Sequence, residues 1–242
     1  MHKLLAIAAV GTVALLTGSI QAADIPDYPD IEVPEVDYGL GGSFYLRGSA
    51  ALNIHYAPEV VHPDLPETNL IDTLGYGYSW GAGFGYETGT GLRFDATIDQ
   101  VETTGLHILK DDGDPDDGDY TLMLRSTVAL ANVYYDFGFG DVGGLGDGAF
   151  GYVGAGAGVA WNHVETNAPF GLITPTGTNV SAAGAVMAGV GYDMGTWVAD
   201  LGYRALYIHE INNSPTTDPA GYFEINNNWI HEVRGTVRYR FN

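Results

Sequence analysis

The sequence predicts an all-β fold in which eight antiparallel strands form an up-and-down barrel, and three observations lead there. Apolar and polar residues alternate along most of the chain, which is the period of a strand with two different faces. The turn-rich connections alternate between long and short. No segment after the amino terminus holds 18 uninterrupted apolar residues, so a later membrane-spanning helix is not expected.

The first 42 residues are set apart from the predicted barrel. His2 and Lys3 precede the apolar run LLAIAAVGTVALL and the small-residue exit TGSIQA, which predicts a signal peptide over 1–22 that is cleaved after Ala22. The alternative is an anchoring helix, but the run is short against the roughly 20 residues that such a helix needs. Residues 23–42 carry acids and prolines and are interpreted as an extended periplasmic tail. The barrel domain is therefore 43–242.

The predicted strands follow the alternating runs and are 43–55, 75–87, 91–102, 120–137, 149–163, 181–194, 196–211 and 229–241. The long connections are 56–74, 103–119, 164–180 and 212–228. The short connections are 88–90, 138–148 and the Met194–Gly195 turn. An even number of strands joined in this order places every long loop at one end and both termini at the other.

The charge is unusual in its sign and its distribution. Nine Lys and Arg stand against 30 Asp and Glu, a net charge of −21, which argues against nucleic-acid binding because phosphate contacts need cations. Beyond Lys3 the only lysine is Lys110, whereas every arginine falls in a predicted strand. A soluble acidic protein normally scatters lysines over its surface.

The strand parity separates charged from apolar side chains. In the last strand Val233, Val237, Tyr239 and Phe241 share one face, and Glu232, Arg234, Thr236, Arg238 and Arg240 share the other. In 120–137 the pattern is less regular. Placing Leu122, Leu124, Val128 and Leu130 outward leaves Arg125 on the polar face, and a bulge is expected near NVYYDF.

Parity alone does not tell which face is inside, and a soluble lipocalin-type barrel would point its apolar face inward. Arginine without lysine on the polar face suits enclosed, paired charges better than a solvated surface. The strands exceed the roughly 9–11 residues that cross a bilayer. Aromatic residues gather toward strand ends, as in interfacial girdles, among them Tyr76, Trp80, Tyr152, Trp161, Trp197, Trp229 and Tyr239. These features favour a transmembrane barrel in the outer membrane of a Gram-negative bacterium.

The inward face is then expected to hold a structural charge network in a packed polar lumen. Its predicted members are Arg47, Glu87, Arg93, Asp95, Asp99, Arg125, Asp200, Arg204, Glu232, Arg234, Arg238 and Arg240. Isolated buried guanidinium groups are very costly, whereas paired ones are tolerated. Inward glycines are expected to make room for these long side chains, namely Gly81, Gly83, Gly85, Gly154, Gly156 and Gly158.

Four stretches carry a resemblance to a known family: GGSFYLRGSAALNIHY (41–56), NVYYDFG (132–138), YVGAGAGVAW (152–161) and VRGTVRYRF (233–241). They resemble small eight-stranded outer-membrane β-barrels of Gram-negative bacteria, and most of all the porin-family surface antigens and opacity-type proteins of alphaproteobacteria. The resemblance implies recognition of the terminal aromatic residue by the barrel-assembly machinery. The chain departs from the family here, because Asn242 follows Phe241.

Two groups of residues are candidate metal ligands. Asp112, Asp114 and Asp116 alternate in KDDGDPDDGDY and offer hard oxygen ligands, but the loop misses the EF-hand pattern and is more simply a solvated acidic loop. His209 and His231 would lie opposite each other on the outer wall if the last hairpin is centred near Ala220. Paired histidines could bind a transition metal, or serve a lipid A-modifying enzyme, although no serine lies near them.

The function expected from these features is that of a non-enzymatic barrel with a structural and surface-interaction role, without catalytic residues or a cofactor. The alternatives are a narrow porin for ions or small solutes and the lipid A-modifying enzyme. The expected partners are outer-membrane lipid and lipopolysaccharide, the barrel-assembly machinery and an extracellular ligand bound by the loops.

Overall fold

The computed structural model describes residues 41–57, 59–61, 74–110, 118–139, 148–167, 176–213 and 224–241, without the side chains of 59–61, 107–110, 118–120 and 166–167. In these residues the strands are β1 (Ser43–Tyr56), β2 (Glu59–Val61), β3 (Gly75–Glu87), β4 (Leu92–Lys110), β5 (Gly118–Gly138), β6 (Ala149–Asn167), β7 (Gly177–Asp193), β8 (Trp197–Asn212) and β9 (Glu224–Phe241). No helix in the described part of the chain is long and apolar enough to cross a membrane.

Eight long strands form one closed antiparallel barrel. Each long strand pairs with the next in sequence order, and β1 closes the sheet by pairing with β9, where Phe44 lies opposite Phe241. The start of β1, the end of β9 and the short connections lie at one end, which is the periplasmic end of an outer-membrane barrel. The short β2 pairs with the first residues of β9 at the opposite, extracellular end. The predicted eight-stranded barrel is confirmed.

The strand bounds differ from the predicted ones mainly at the extracellular end. β4, β5 and β6 are 19, 21 and 19 residues long, whereas β1 and β3 have 14 and 13. Parts of the predicted long connections are therefore strand, above all 103–110 and 164–167, because hydrogen-bonded ribbons continue above the barrel. The predicted signal peptide (1–22), most of the tail (23–42) and Asn242 lie outside the described residues and stay predictions.

The outer wall is apolar over the height of a bilayer. Exposed aliphatic and aromatic side chains cover it on every long strand, for example Leu46, Leu52, Phe84, Phe94, Ile98, Val153, Val186, Leu201, Val233 and Val237. Exposed tyrosines and tryptophans lie at its two edges, such as Trp80, Trp161 and Trp229 above and Tyr135, Tyr192 and Trp197 below. Such a wall is stable against lipid and not against water, which excludes the lipocalin-type alternative.

The interior changes character along the barrel axis. Charged and polar residues fill the periplasmic half, as described below. The extracellular half holds an apolar cluster that includes Val101, Leu106, Leu122, Leu124, Val164, Leu206, Ile208, Ile225 and Ile230. Val128 and Leu130 continue it down beside Asp99 and Thr97, and buried polar side chains such as Asn53, His55, Ser126, Asn162 and Asn228 lie in the same half. The expectation of a polar lumen throughout is therefore wrong for this half.

Strand β5 shows most clearly how apolar side chains come to lie inside the barrel. Leu122, Leu124, Val128 and Leu130 are buried inside, and Arg125 points outward with 55% of its side chain exposed, opposite to the prediction. The register of β5 runs unbroken from 121 to 138 against β6, so there is no bulge near NVYYDF. Instead a register shift lies between Thr103 and Leu106 of β4. At Leu122 and Leu124, above the bilayer, the outer face meets water, so apolar residues turn inward as in a soluble protein.

Candidate functional site

Glycines on β3 create the space that the charged residues occupy. Gly81 and Gly85 face inward, where an added Cβ would lie 2.1 Å from Asp99 Oδ1 and 2.4 Å from the Tyr45 ring. Gly154 and Gly156 on β6 play the same part for Tyr134 and Asn132. The strands with small inward residues thus accommodate the large side chains of β1, β4, β5 and β9.

A closed group of two arginines and two carboxylates lies in the middle of the lumen, and we call it the central network. Arg204 donates to Asp99 at 2.7 Å and to both oxygens of Glu232. Arg234 donates to Asp99 at 2.7 Å and to Glu232 at 3.0 Å. Ser79 donates to Glu232 at 2.6 Å. All four charges are buried, and their mutual bonds compensate the loss of water.

A second group surrounds Asp95 on the periplasmic side of the central network. Its carboxylate accepts hydrogen bonds from Tyr45 at 2.9 Å, Arg47 at 2.8 Å and Asn132 at 2.7 Å. Arg47 also donates to the Tyr134 hydroxyl at 2.8 Å. Residues of β1, β4 and β5 are joined across the lumen by this single carboxylate.

The periplasmic mouth contains the third group. Arg93 donates two bonds to Asp136, at 3.1 and 3.0 Å, and its guanidinium lies 4.0 Å from the centre of the Tyr134 ring. Arg238 and Arg240 share Glu87, at 2.5 and 2.8 Å. Arg240 also donates to Asp193 at 2.6 Å.

Arg238 is the least satisfied of these cations. It is 1% exposed, and among the described residues its Nε and one terminal nitrogen have no hydrogen-bond partner. Asp200 lies 3.7 Å from Nε. The side chain borders a vestibule of about 530 Å³ that is open to the periplasm. Water in the vestibule can reach the site, which moderates the cost of the missing partners.

The structure brings most of the predicted network residues to the inner wall. Arg47, Glu87, Arg93, Asp95, Asp99, Asp200, Arg204, Glu232, Arg234, Arg238 and Arg240 all face the lumen or its periplasmic mouth. Arg125 does not, because it lies on the outer wall beside Glu102. Prediction missed Asp136 and Asp193. Asp136 would follow from a correct parity for β5, whereas Asp193 lies next to a turn, where parity gives no guide.

One aromatic residue was also assigned to the wrong side. Tyr152 was predicted at the girdle, but its ring is inside, and its hydroxyl donates to Asp200 at 3.2 Å. With Tyr45 and Tyr134, it forms an aromatic layer between the central network and the mouth. These rings place the arginines through cation–π contacts as well as through hydrogen bonds.

The two candidate histidines lie on the outer wall, as predicted, but they are not opposite each other. His231 pairs with Ala205, so the last hairpin is centred near 218 and not near Ala220. Each histidine lies near a tyrosine: His231 Nδ1 is 2.6 Å from the Tyr203 hydroxyl, and His209 Nδ1 is 3.4 Å from that of Tyr207. A shared metal ion or a catalytic pair at these positions has no geometric basis.

No described residues form a group of three or more His, Asp or Glu that could hold a metal ion. The acidic loop residues Asp112, Asp114 and Asp116 lie outside the described part of the chain, so a calcium site there stays untested. The groups that the structure assembles are ion pairs and hydrogen bonds that join strands.

Comparison with known proteins adds to this description. No protein-family model and no curated protein sequence matches the chain. Among solved structures, Neisserial surface protein A (NspA) superposes with a TM-score of 0.51 at 21% identity, over 83% of this chain and 99% of that one. At this identity the likeness shows the fold alone, a small outer-membrane barrel. The protein is an outer-membrane β-barrel.

Two further structures match more loosely and do not bear on the assignment. OprG from Pseudomonas aeruginosa has a TM-score of 0.44 at 13% identity, over 83% of this chain and 97% of that one. The attachment invasion locus protein Ail of Yersinia pestis has a TM-score of 0.42 at 12% identity, over 83% and 99%. The apolar outer wall and the enclosed charges are what place this outer-membrane barrel in lipid.

Proposed function

We propose that the protein is a non-enzymatic outer-membrane barrel with a closed lumen, which holds an extracellular surface in place for interactions. The closed lumen is the observation that carries this proposal. It has two successive barriers, the charge network in the periplasmic half and the apolar core in the extracellular half. Neither barrier is compatible with a continuous aqueous path.

The cavity that remains beside the network is very small. It measures about 10 Å³ and is bordered by Arg47, Arg93, Tyr134 and Arg204. A single water needs roughly 10–15 Å³ on this measure, so a hydrated ion would have to displace buried arginines to pass. Above it, large apolar side chains fill much of the lumen, and buried polar groups such as Ser126, Asn162 and Asn228 are already hydrogen-bonded to one another or to the backbone. The porin alternative therefore requires a lumen different from the one described.

The experiment that tests this proposal is conductance of the refolded chain in a planar bilayer. Folding is first verified by heat-modifiable migration in gels, because an unfolded sample is also silent. The expected result is no stable step from a folded sample. Ohmic steps that scale with salt concentration would overturn the closed lumen and make the protein a small porin.

The interaction surface would be built on the tall ribbons of β4, β5 and β6. These strands extend past the apolar band, and their outward side chains become polar or charged there, as at Glu102, Arg125, His163 and Glu165. Rigid strands that carry connecting loops are a suitable support for binding, since loops supply specificity.

The other expected partners follow from the location of the barrel in the outer membrane. Outer-membrane lipid, including lipopolysaccharide, covers the apolar wall, and the barrel-assembly machinery inserts the chain. The alternative of a lipid A-modifying enzyme predicts altered lipid A masses in cells that produce the protein. We expect unchanged masses, both for the native chain and for a variant with His209→Gln and His231→Gln. A mass change that depends on these histidines would contradict the non-enzymatic proposal.

A further inference from the structure

A shallow cleft on the outer wall lies just above the lipid-facing band, across β4 to β7. Its volume is about 590 Å³, and its outward lining side chains include Gln100, Arg125, Thr127, Trp161, His163 and Thr178. The strand register explains why these residues meet. Arg125 lies directly opposite Glu102 on one side and His163 on the other, and His163 lies opposite Thr178.

The height of the cleft is fixed by the residues beneath it. One row lower, Trp161 and Val180 form its apolar floor beside Thr127, which donates to Gln100 at 2.8 Å. A second row lower, every outward residue is apolar, from Ile98 through Ala129 and Val159. The cleft therefore lies where acyl chains end and headgroups begin, in the outer leaflet.

Arg125 differs from every other described arginine. The other six each donate a hydrogen bond to a carboxylate, whereas Arg125 donates none among the described side chains. Its nearest carboxylate oxygen, on Glu102, is 3.7 Å from Nε. An exposed guanidinium at this height has free donors in a fork geometry, which matches phosphate. His163 lies opposite Arg125 on β6, and its Nε2 is 3.2 Å from Glu165 Oε1.

The wall below the cleft is smooth. Ala129, Ala131, Ala155, Ala157 and Ala182 point outward on β5, β6 and β7, between the larger side chains of β4 and the valines of β7. A strip of small side chains lets an extended acyl chain lie close to the sheet, and close contact increases dispersion attraction. The strip leads upward into the cleft, so a polar head and apolar tails of one molecule fit the same continuous surface.

We infer that this cleft binds the phosphorylated headgroup of an outer-leaflet glycolipid, with a phosphate on Arg125 and acyl chains along the alanine strip. Arg125 supplies the positive charge for a phosphate, since it is the only described arginine that points toward the membrane surface. Gln100, Thr127 and Thr178 supply neutral hydrogen-bonding groups for sugar hydroxyls. Lipid binding on the outer wall is independent of whether the lumen conducts.

The test is native mass spectrometry of the refolded chain in detergent with added lipid A, which counts barrels that retain one lipid. Arg125→Gln removes the phosphate-binding group and should lower the retained fraction about tenfold, since a charge-assisted hydrogen bond is lost. The matched control is His209→Gln, another exposed polar residue on the outer wall but on β8, and it should bind like the native chain. Heat-modifiable migration establishes that both variants are folded.

Dephosphorylated lipid A separates the headgroup from the tails. The native chain should retain dephosphorylated lipid A as poorly as Arg125→Gln retains lipid A. In each case the contact between the Arg125 guanidinium and the phosphate is missing. Equal retention of lipid A by the native chain and Arg125→Gln would overturn the proposal. Equal retention of phosphorylated and dephosphorylated lipid A by the native chain would also overturn it, because the acyl chains alone would then account for binding.

Discussion

The two halves of the barrel interior obey opposite rules. In the periplasmic half, the side chains inside are mainly charged and those outside are apolar. In the extracellular half of β4, β5 and β6 the interior is mainly apolar, with uncharged polar residues such as Ser126 and Asn162, and the outer face is polar. The same strands pass through both halves without changing parity. The charged groups lie inside only where lipid covers the wall, whereas charged residues lie outside where the strands extend above the lipid.

The largest effect is expected from breaking the central network. Glu232→Ala leaves Arg204 and Arg234 with Asp99 alone, inside a lumen where neither can reach bulk water. We expect a loss of about 3–5 kcal/mol in the free energy of unfolding, because one buried charge becomes uncompensated. Urea unfolding in detergent, followed by tryptophan fluorescence, measures it. A loss below about 1 kcal/mol would mean that the periplasmic half is solvated.

A neighbouring pair of residues tests the apolar half. Leu122 is fully buried, whereas Met123 points outward. Leu122→Ala should cost about 3 kcal/mol through lost burial and the cavity left behind. Met123→Ala should change the free energy of unfolding by less than about 1 kcal/mol. If the two variants have equal stability, the inversion between the halves is wrong for β5.

A pair of glycines tests the space that the periplasmic half requires. An added methyl group at Gly81 would contact Asp99 and displace it, whereas nothing lies within 4 Å of one at Gly48, which faces outward. Gly81→Ala should destabilise the barrel by about 1–3 kcal/mol through overpacking. Gly48→Ala should have a much smaller effect. Similar thermal stability of both variants in gel-shift assays would contradict a tightly packed network.

The smallest effect is expected for Arg125, which lies on the outer wall and takes no part in the interior packing. Arg125→Leu removes an exposed side chain whose carboxylate neighbour is 3.7 Å away. We expect a change within about 1 kcal/mol, the usual range for surface ion pairs. Arg234→Leu is the contrasting variant, because it removes a buried member of the central network. A strong destabilisation by Arg125→Leu would place that residue in the structural network after all.

The alternation of apolar and polar residues was sufficient to predict which side chains face inward in most of the periplasmic half. The predicted inward positions of Arg47, Asp99 and Arg234 agree with the structure, because lipid outside makes the strand pattern unambiguous. For β5 the same reasoning failed. Leu122 and Leu124 were placed outward on the assumption that one rule holds over the whole strand, but the upper part of β5 lies above the bilayer.

The outer histidines show a different limit. Their predicted pairing depended on where the last hairpin is centred. When that centre moves by two residues, the residue opposite any given position on β8 shifts by four positions along β9. Sequence patterns in a polar connection do not fix such a centre. The membership of the charge network was largely predictable, whereas its pairings were not, since Asp95, Asp99 and Glu87 bind partners from strands distant in sequence.

The arginines of β9 have a consequence for how the protein assembles. Arg234, Arg238 and Arg240 lie on β9, the strand that closes the barrel, and their carboxylate partners include Asp99 on β4 and Glu87 on β3. Until β9 meets β1, the pairs with Asp99 and Glu87 are not in place, and an unclosed sheet would have to carry the uncompensated charges into lipid. Ring closure and charge neutralisation are thus one step, which makes insertion cooperative and disfavours half-inserted intermediates.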